Sequence, residues 1–397
     1  MEAKVCAGSE YVGTVKLYEN DGYLQQFNAK VISCESKGDF FEIVVDKTAF
    51  FPEGGGQNPD LGYLSDVQVL DVKERQGIIY HKTRRPLAAG AEITGQIDWQ
   101  RRFDYMQQHS GEHIVSGIVH KKFGYDNVGF HLGDAVVTLD FNGSLSQADL
   151  DSVEWEANQA VFENRNVIIS YPDKETLKQL EYRSKIDIDG QVRIVAVDGY
   201  DVCACCAPHV TKTGEIGLIK ILSCQKYKGG VRVSIACGFR ALSDYRMKQK
   251  NIGDISVLLS AKTEGTAEAV TKLHQDMQAV KYQLGAMQEK LMLTRIAQLD
   301  AQAENVCLFA DAMETVIMRK AVNAMTAAHS GYCALFVGND QQGYKFLIGS
   351  ASGDSRVVLN ALKADLPCRG GGSREMVQGQ ITGTQNAIET AFKALYE

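Results

Sequence analysis

Two histidines one helical turn apart give the clearest chemical signal in the sequence. His109 and His113 stand in the run HSGEH at positions i and i+4, so that on a helix both imidazoles project from one face. Imidazoles at that separation can bind one tetrahedral zinc, whose Zn–N bonds are about 2 Å long. The run also fits the H-x-x-E-H signature of an inverted metalloprotease helix, in which Glu112 is the general base. Taken alone, the pair fits ordinary surface or core histidines equally well.

A second pair of candidate ligands follows in the run CACCAPHV. Cys205 and His209 are again four residues apart, in a turn-rich segment after a predicted strand, and a thiolate with an imidazole suits zinc. Cys203 and Cys206 are alternative thiolate ligands. The sequence therefore predicts one Zn²⁺ per chain, bound by His109, His113, Cys205 and His209.

The metalloprotease interpretation explains less of the sequence. It needs a carboxylate as the third zinc ligand, for which Glu154 and Glu156 are candidates downstream, and a water as the fourth. It gives no role to Cys205 or His209. The four-ligand site is therefore the favoured hypothesis, and a peptidase stays an alternative.

The elements that must position these ligands can be predicted from apolar spacing. Residues 101–123 have the spacing of a helix, with Gly124 as a stop, so HSGEH lies within that helix. The runs AVVTLDF, VIISY and VRIVAV are typical of strands, and SQADLDSVEWEANQAVFENR is typical of a helix with Ser146 as N-cap. Before them, residues 13–80 alternate short apolar runs with turn residues, which predicts a small β-barrel or sandwich.

A long helix with a heptad seam is predicted after residue 246. Seven apolar residues follow an unbroken 3-4 spacing without proline: Val270, Leu273, Met277, Val280, Leu284, Met287 and Leu291. The seam fits either a coiled coil or an amphipathic helix lying on its own domain. Beyond Asn305, three strand-like runs precede CRGGGSREMVQGQITG, interpreted as a glycine-rich loop before a last helix.

Together these patterns predict an α+β protein in four segments. Residues 1–90 form an N-terminal β-barrel-like domain, and residues 91–245 form an α+β zinc-binding domain. Residues 246–304 form the long helix with its seam, and residues 305–397 form a C-terminal α/β domain.

Composition places few further limits on function. The 397 residues are 45% hydrophobic and carry a net charge of −7, so any polyanion must be bound by local basic patches. No signal peptide or membrane span is predicted, and three of the ten cysteines crowd into CACC while the others, such as Cys6, are isolated. A cytoplasmic protein with reduced thiols is expected.

The motifs together resemble those of a known family. H-x-x-x-H followed roughly ninety residues later by C-x-x-x-H resembles the editing domain shared by alanyl-tRNA synthetase and the freestanding AlaX-type alanyl-tRNA editing proteins. FFPEGGGQNPD, GFHLGD and HVTKTGEIGLIKI resemble further segments of that family, and CRGGGSREMVQGQ resembles a loop of the synthetase C-terminal domain. The resemblance covers nearly the whole chain. With no aminoacylation half in the sequence, it implies a long AlaX protein that works in trans.

The resemblance implies zinc-dependent hydrolysis of the ester of tRNA(Ala) mischarged with serine, and also with glycine. A second hydrolytic site of this kind supplies discrimination that pocket size alone cannot give. Where the synthetases commonly have C-G-G-T-H, this chain has Cys206, Ala207 and Pro208 between the two ligands, so amino-acid specificity is left open. A non-catalytic tRNA-binding module with a structural zinc is the other alternative.

Candidate residues for substrate follow from their places beside these motifs. The catalytic candidate is Glu112. Candidates for contacts with the aminoacyl end are Gly54, Gly55, Gly56, Gln57, His131 and Thr138. Candidates for tRNA phosphate contacts are Arg101, Arg102, Lys226, Lys228, Arg232, Arg369 and Arg374. The expected partners are mischarged tRNA(Ala) and a second copy of the chain, paired through the heptad helix or the C-terminal domain.

Overall fold

The structure, a computed structural model, describes residues 13–184 and 191–395 in two compact units, Met1–Asn251 and Ile252–Glu397. The first twelve residues of the predicted N-terminal domain, Cys6 among them, lie outside the described residues. The predicted mixture of helices, several sheets and one long helix is confirmed. The division into four domains stays a prediction.

The first part of unit 1 is a barrel. Six strands close in the order β2-β3-β7-β6-β5-β8, and alternate residues of β2 and β8 face the interior, as a barrel requires. Ile43, Val45 and Leu64 fill its core. The elements are β1 (Val15–Lys16), α1 (Leu17–Asn20), β2 (Gln26–Ser36), β3 (Phe41–Val45), β4 (Lys47–Thr48), β5 (Gly62–Leu64), β6 (Val67–Arg75), β7 (Ile78–Thr83) and β8 (Glu92–Ile97).

The helix that carries the two histidines follows the barrel directly. Helix α2 (Trp99–Phe123) begins at Asp98, whose side chain accepts a hydrogen bond from Arg101 N, and ends at Gly124 in the left-handed conformation (φ 68°). Every residue from Tyr105 to Val119 is buried. Helix α2 is therefore a central element of the unit, which explains why its histidines are not surface residues.

Two sheets and a second long helix surround α2. One sheet has the order β14-β15-β10-β9 and the other β11-β12-β13. Ser146 and Asp149 form a reciprocal capping box at the start of α3, which confirms the predicted N-cap. The elements are β9 (Asn127–Leu132), β10 (Val137–Phe141), α3 (Gln147–Glu163), β11 (Val167–Ser170), α4 (Lys174–Gln179), β12 (Ile194–Val197), β13 (Asp201–Ala204), β14 (Ile219–Tyr227), β15 (Gly230–Cys237) and α5 (Gly238–Leu259), with a 3₁₀ turn at Thr213–Ile216.

Unit 2 is a five-stranded sheet with helices. Its strand order is β16-β17-β18-β20-β19, with β16 and β17 parallel and the others antiparallel. Buried apolar residues line both sides of the sheet, in two clusters. The elements are α6 (Thr266–Ala297), β16 (Val306–Ala310), α7 (Thr315–Ala328), β17 (Tyr332–Asn339), β18 (Gly343–Ser350), α8 (Ser355–Asp365), β19 (Cys368–Gly372), β20 (Met376–Ile381) and α9 (Gln385–Lys393).

The run CRGGGSREMVQGQITG is a hairpin rather than the predicted loop. Its two halves pair as β19 and β20, with Gly370 opposite Gly379. A Cβ at Gly379 would overlap both the backbone of β19 and the ring of Phe346. The glycines therefore serve close packing within a sheet, where the sequence suggested chain reversal.

The predicted heptad helix is present, and its seam is solvent-exposed. Helix α6 has 32 residues, and the seven seam residues are between 43% (Met277) and 70% (Met287) exposed. The face that packs within unit 2 is a different one, which includes Met292 and Ile296. Among the described residues, no helix is long and apolar enough to span a membrane.

Candidate metal centre

The four predicted ligands converge at one buried point of unit 1. One donor atom from each of His109, His113, Cys205 and His209 lies within 4.8 Å of the other three. Cys205 Sγ lies 3.3 Å from His209 Nε2 and 3.5 Å from His109 Nε2. The three histidines are at most 3% exposed. This cluster could bind a metal ion.

Local packing explains how distant segments reach the same point. His109 and His113 lie on adjacent turns of α2, while Cys205 and His209 lie on the loop after β13. The glycine between the histidines lets α2 approach the sheet, because a Cβ at Gly111 would overlap the Sγ of Cys237 on β15. The middle of HSGEH therefore serves helix–sheet packing.

The Nδ1 atoms of His109 and His209 have polar partners outside the cluster. Gln57 Oε1 lies 2.8 Å from His109 Nδ1, and since an amide oxygen only accepts, that nitrogen carries the proton. His209 Nδ1 lies 3.0 Å from Ser110 Oγ, which also accepts from Val210 N. These contacts leave the Nε2 atoms for a metal, which is the usual arrangement of ligating histidines.

His113 is oriented by a buried carboxylate. Its Nδ1 lies 3.0 Å from Asp201 Oδ2, and Arg183 binds the same carboxylate through two nitrogens at 2.7 and 2.9 Å. Burial alone would raise the pKa of Asp201, but the contacts with His113 and Arg183 outweigh burial and lower that pKa below its usual value. Asp201 is therefore an anion at neutral pH, suited to holding the His113 ring.

Glu112 lies in a hydrogen-bonded network beside the cluster. Its Oε1 accepts from Ser116 Oγ at 2.7 Å and from Asn127 Nδ2 at 2.6 Å, and its Oε2 lies 3.9 Å from His113 Nε2. The residue is 1% exposed. One carboxylate oxygen thus connects α2 to the start of β9, and a catalytic role for Glu112 stays a prediction.

The glycine-rich segment places Gln57 against the cluster. Gly54 and Gln57 close a tight turn, with Gly55 and Gly56 at φ 59° and 83°. Gly56 O accepts from Leu132 N at 2.7 Å, and a Cβ at Gly56 would overlap the Phe130 carbonyl. The turn is therefore fixed on β9, beside the Phe130 ring that packs on His109 at 4.8 Å between ring centres.

His131 and Thr138 are not brought to the cluster. They are paired across β9 and β10, and His131 is exposed. Neighbouring residues of a strand point to opposite faces, and Phe130 is the one that faces His109. His131 and Thr138 therefore lie on the face of the sheet opposite the ligands, and their contact with the aminoacyl group stays a prediction.

Arg102 is not a phosphate contact. It is fully buried, forms an ion pair with Asp60, and donates to the carbonyl oxygens of Gly22 and Ala49. It therefore joins α2 to the barrel, and the prediction of a tRNA contact is corrected.

The other predicted phosphate contacts divide into two groups. The first group forms ion pairs: Arg101 pairs with Asp134 at 2.6 Å, and Arg232 binds Asp140 through two nitrogens at 2.6 and 2.8 Å. The exposed ones are Lys226, Lys228, Arg369 and Arg374. Since Lys226 and Lys228 belong to unit 1 and Arg369 and Arg374 to unit 2, each pair marks a surface of its own unit.

Two known domain families match parts of the chain. Residues 192–234 match the threonyl and alanyl tRNA synthetase second additional domain, and residues 14–101 match the class II tRNA synthetases. The first match includes Cys205 and His209. The second covers the barrel and the start of α2.

Relatives that match more than half of the chain are named alanyl-tRNA editing proteins. The alanyl-tRNA editing protein AlaX-L of Pyrococcus horikoshii is 32% identical over 57% of this chain and 59% of its own. The alanyl-tRNA editing protein Aarsd1-B of Xenopus laevis is 30% identical over 70% of this chain and 71% of its own. The chain belongs to the alanyl-tRNA editing protein family.

The family is homologous to parts of a larger enzyme. The alanine–tRNA ligase of Pyrococcus abyssi is 28% identical over 96% of this chain, but the match spans only 44% of the ligase. For this member of the editing family, the residues that sequence reasoning missed are those around the ligands, namely Ser110, Asp201 and Arg183. Ser110 follows a ligand and Asp201 stands close before CACC, but nothing in the sequence around Arg183 points to the site.

Proposed function

We propose that the chain is a trans-editing hydrolase that deacylates tRNA(Ala) mischarged with serine, and also with glycine. The observation that carries the proposal is the convergence of His109, His113, Cys205 and His209 in a chain of the editing family. The glycine-rich turn and Gln57 lie directly beside that cluster. The alanyl-tRNA editing names belong to the relatives, and the activity of this chain is inferred from its site.

Zn²⁺ is the metal that the donor set fits best. Imidazole nitrogens and a thiolate sulfur are ligands that zinc commonly takes, and the three Nδ1 atoms lie next to Gln57, Ser110 and Asp201, which leaves each Nε2 available. When bound by these four residues, Zn²⁺ would supply a Lewis acid beside the substrate ester.

Gln57 is the side chain best suited to bind the aminoacyl group. It is 1% exposed, and its Nε2 has no hydrogen-bond partner. An unsatisfied buried donor costs about 1–3 kcal/mol, so an acceptor oxygen of the substrate placed there would relieve that cost. Gln57 would then orient the His109 ring through Oε1 and the substrate through Nε2.

The tRNA backbone would be held by exposed basic residues. Lys226 and Lys228, at the β14–β15 hairpin of unit 1, are proposed to contact phosphates near the acceptor end. Arg369 and Arg374, on the β19–β20 hairpin of unit 2, are proposed to contact phosphates elsewhere on the tRNA. Binding of this kind weakens steeply with salt because counterions are released.

A second copy of the chain is the proposed partner of the exposed seam. With Val270 at heptad position a, Asp276 falls at g and Lys281 at the next e, and these two positions face each other across a parallel two-stranded coiled coil. The charges are therefore complementary in a parallel homodimer.

One observation favours a non-catalytic alternative. Four protein ligands complete a tetrahedron, which is usual for a structural zinc, whereas a catalytic zinc commonly keeps one position for water. On that alternative the chain binds tRNA without hydrolysing the ester. A peptidase is disfavoured, because Cys205 and His209 occupy the places that it would give to a carboxylate and water.

One experiment separates these functions. Purified protein is incubated with Ser-, Gly- and Ala-tRNA(Ala), and ester loss is followed with and without a chelator. We expect rapid loss from Ser- and Gly-tRNA(Ala), little loss from Ala-tRNA(Ala), and no activity after chelation or in Cys205→Ser. Cys224→Ser, on β14 away from the cluster, is the matched control. Binding without accelerated hydrolysis would refute the enzyme and favour the non-catalytic module.

A further inference from the structure

Arg193 contacts the loop that carries two of the four ligands, Cys205 and His209. It is 7% exposed and precedes β12, the partner of β13. Its Nη1 donates to the carbonyl oxygen of Cys205 at 2.7 Å and to that of Ala207 at 3.0 Å. Its own carbonyl oxygen accepts from Cys205 N at 3.1 Å. Arg193 therefore holds Cys205 by its amide and its carbonyl.

The guanidinium of Arg193 has no carboxylate partner among the described residues. Other arginines of unit 1 do have one, since the fully buried Arg102 pairs with Asp60 and the partly buried Arg183 pairs with Asp201. Arg193 Nε is buried without a hydrogen-bond partner. Burying a cation without an anion is costly, so an ion pair does not explain the placement of Arg193. The contacts that remain are those with the ligand loop.

We infer that Arg193 is a positioning residue of the metal centre: by bridging the carbonyl oxygens of Cys205 and Ala207, its guanidinium fixes the turn from which Cys205 and His209 reach the metal. This inference rests on the metal binding in the proposed function. It adds a residue that touches neither metal nor substrate and acts through the loop backbone.

The geometry of the loop explains why these hydrogen bonds from Arg193 are needed. Cys205 and His209 must hold their donor atoms 3.3 Å apart across a loop that contains no regular helix or strand. Ser110 fixes the far end of the loop, through His209 Nδ1 and Val210 N. Arg193 fixes the near end. Without Arg193, two carbonyl oxygens lose their donor and the Cys205 end is free to rotate.

The test is metal affinity, measured on the full chain. Arg193→Met and Arg193→Lys are compared with the parent by competition with a chelator for Co²⁺, whose absorption bands report a tetrahedral thiolate site. We expect Arg193→Met to bind Co²⁺ about 10–100-fold more weakly, with altered bands, as is usual when a residue that orients metal ligands is removed. Arg193→Lys keeps a donor but not the planar bridge, and a loss of about tenfold is expected.

The control is Arg295→Met in unit 2. Arg295 also donates to a backbone carbonyl, that of Phe309 at 2.7 Å, but it lies in the other unit. The Arg295→Met variant should leave Co²⁺ affinity unchanged.

If Arg193→Met binds Co²⁺ with the parent affinity and spectrum, the inference is overturned. If Arg193→Met does not fold, Arg193→Lys decides by the same criterion. Failure of the parent itself to bind Co²⁺ would instead overturn the proposed metal centre.

Discussion

His109 Nδ1 lies 2.8 Å from Oε1 of Gln57, and this contact joins the glycine-rich turn to the cluster of four candidate ligands. We predict that Gln57→Leu, which removes the acceptor, lowers metal affinity about 10–100-fold. Gln57→Glu keeps an acceptor oxygen and loses the free Nε2, so it should retain metal while deacylation of Ser-tRNA(Ala) falls about 10-fold or more. Chelator competition and single-turnover deacylation measure the two effects. Equal deacylation by Gln57→Glu and parent would remove Nε2 from substrate binding.

Metal affinity should rise with pH. Burial, aided by the neighbouring Cys206, raises the pKa of the Cys205 thiol, so this group carries a proton at neutral pH when no metal is bound. Burial and the nearby His113, His109 and Arg193 lower the pKa of His209, which is therefore already neutral. Metal binding should then release the thiol proton, and affinity should increase about tenfold per pH unit between pH 6 and 8. A pH-independent affinity would mean that Cys205 is not a thiolate ligand.

Glu112→Gln tests whether the central residue of HSGEH does chemistry. Glutamine keeps an acceptor for Ser116 and Asn127 but cannot act as a base, so the network of Glu112 Oε1 should survive. If Glu112 is the base, deacylation falls about 10²-fold or more with metal affinity unchanged. Parent-like deacylation with metal retained would limit Glu112 to holding α2 and β9 together. Single-turnover rates on Ser-tRNA(Ala), with the metal content measured, give the answer.

Arg102→Met should destabilise unit 1 strongly. The change leaves Asp60 buried without its cation, which typically costs about 3–5 kcal/mol of the free energy of unfolding. Arg101→Met, whose partner Asp134 is exposed, should cost less than about 1 kcal/mol. Both tryptophans of the chain, Trp99 and Trp155, belong to unit 1, so urea titration followed by tryptophan fluorescence reports this unit. Similar losses in the two variants would contradict the burial of the Arg102 pair.

The seam of α6 gives a charge-exchange test for the homodimer. Asp276→Lys should place like charges at facing g and e positions and weaken the dimer, and adding Lys281→Asp should restore it. Sedimentation velocity over a range of protein concentrations measures both. Gln275→Lys, on the outer side of the helix, is the matched control. A parent chain that is monomeric at every concentration would refute the proposed pairing.

Local spacing predicted more of the site than of its surroundings. The four ligands were predictable because each pair lies within five residues, and both reach one point. Which residue of β9 points toward the ligands was not predictable. The choice between His131 and Phe130 depends on how the sheet packs, which local spacing does not show. Arg102 looked like a surface charge because its partner, Asp60, is 42 residues away in the barrel.

The same limit applies to the glycines and to the helix seam. CRGGG suggested a loop, because the sequence does not show that the paired strand and the ring of Phe346 leave no room for a Cβ at Gly370. The seam of α6 predicted a helix but not its partner, because 3-4 spacing defines an apolar face without specifying what covers it.

The convergence of the ligands has a consequence for the lifetime of the protein. His113 and Cys205 are 92 residues apart in sequence, so an ion held by both is a cross-link that closes a long loop. Such a closure removes much of the freedom of the unfolded chain and favours the folded state. If the proposed ion is bound, a shortage of the metal should leave more of the chain unfolded and open to proteolysis, so that metal supply would set how much of the folded protein is present.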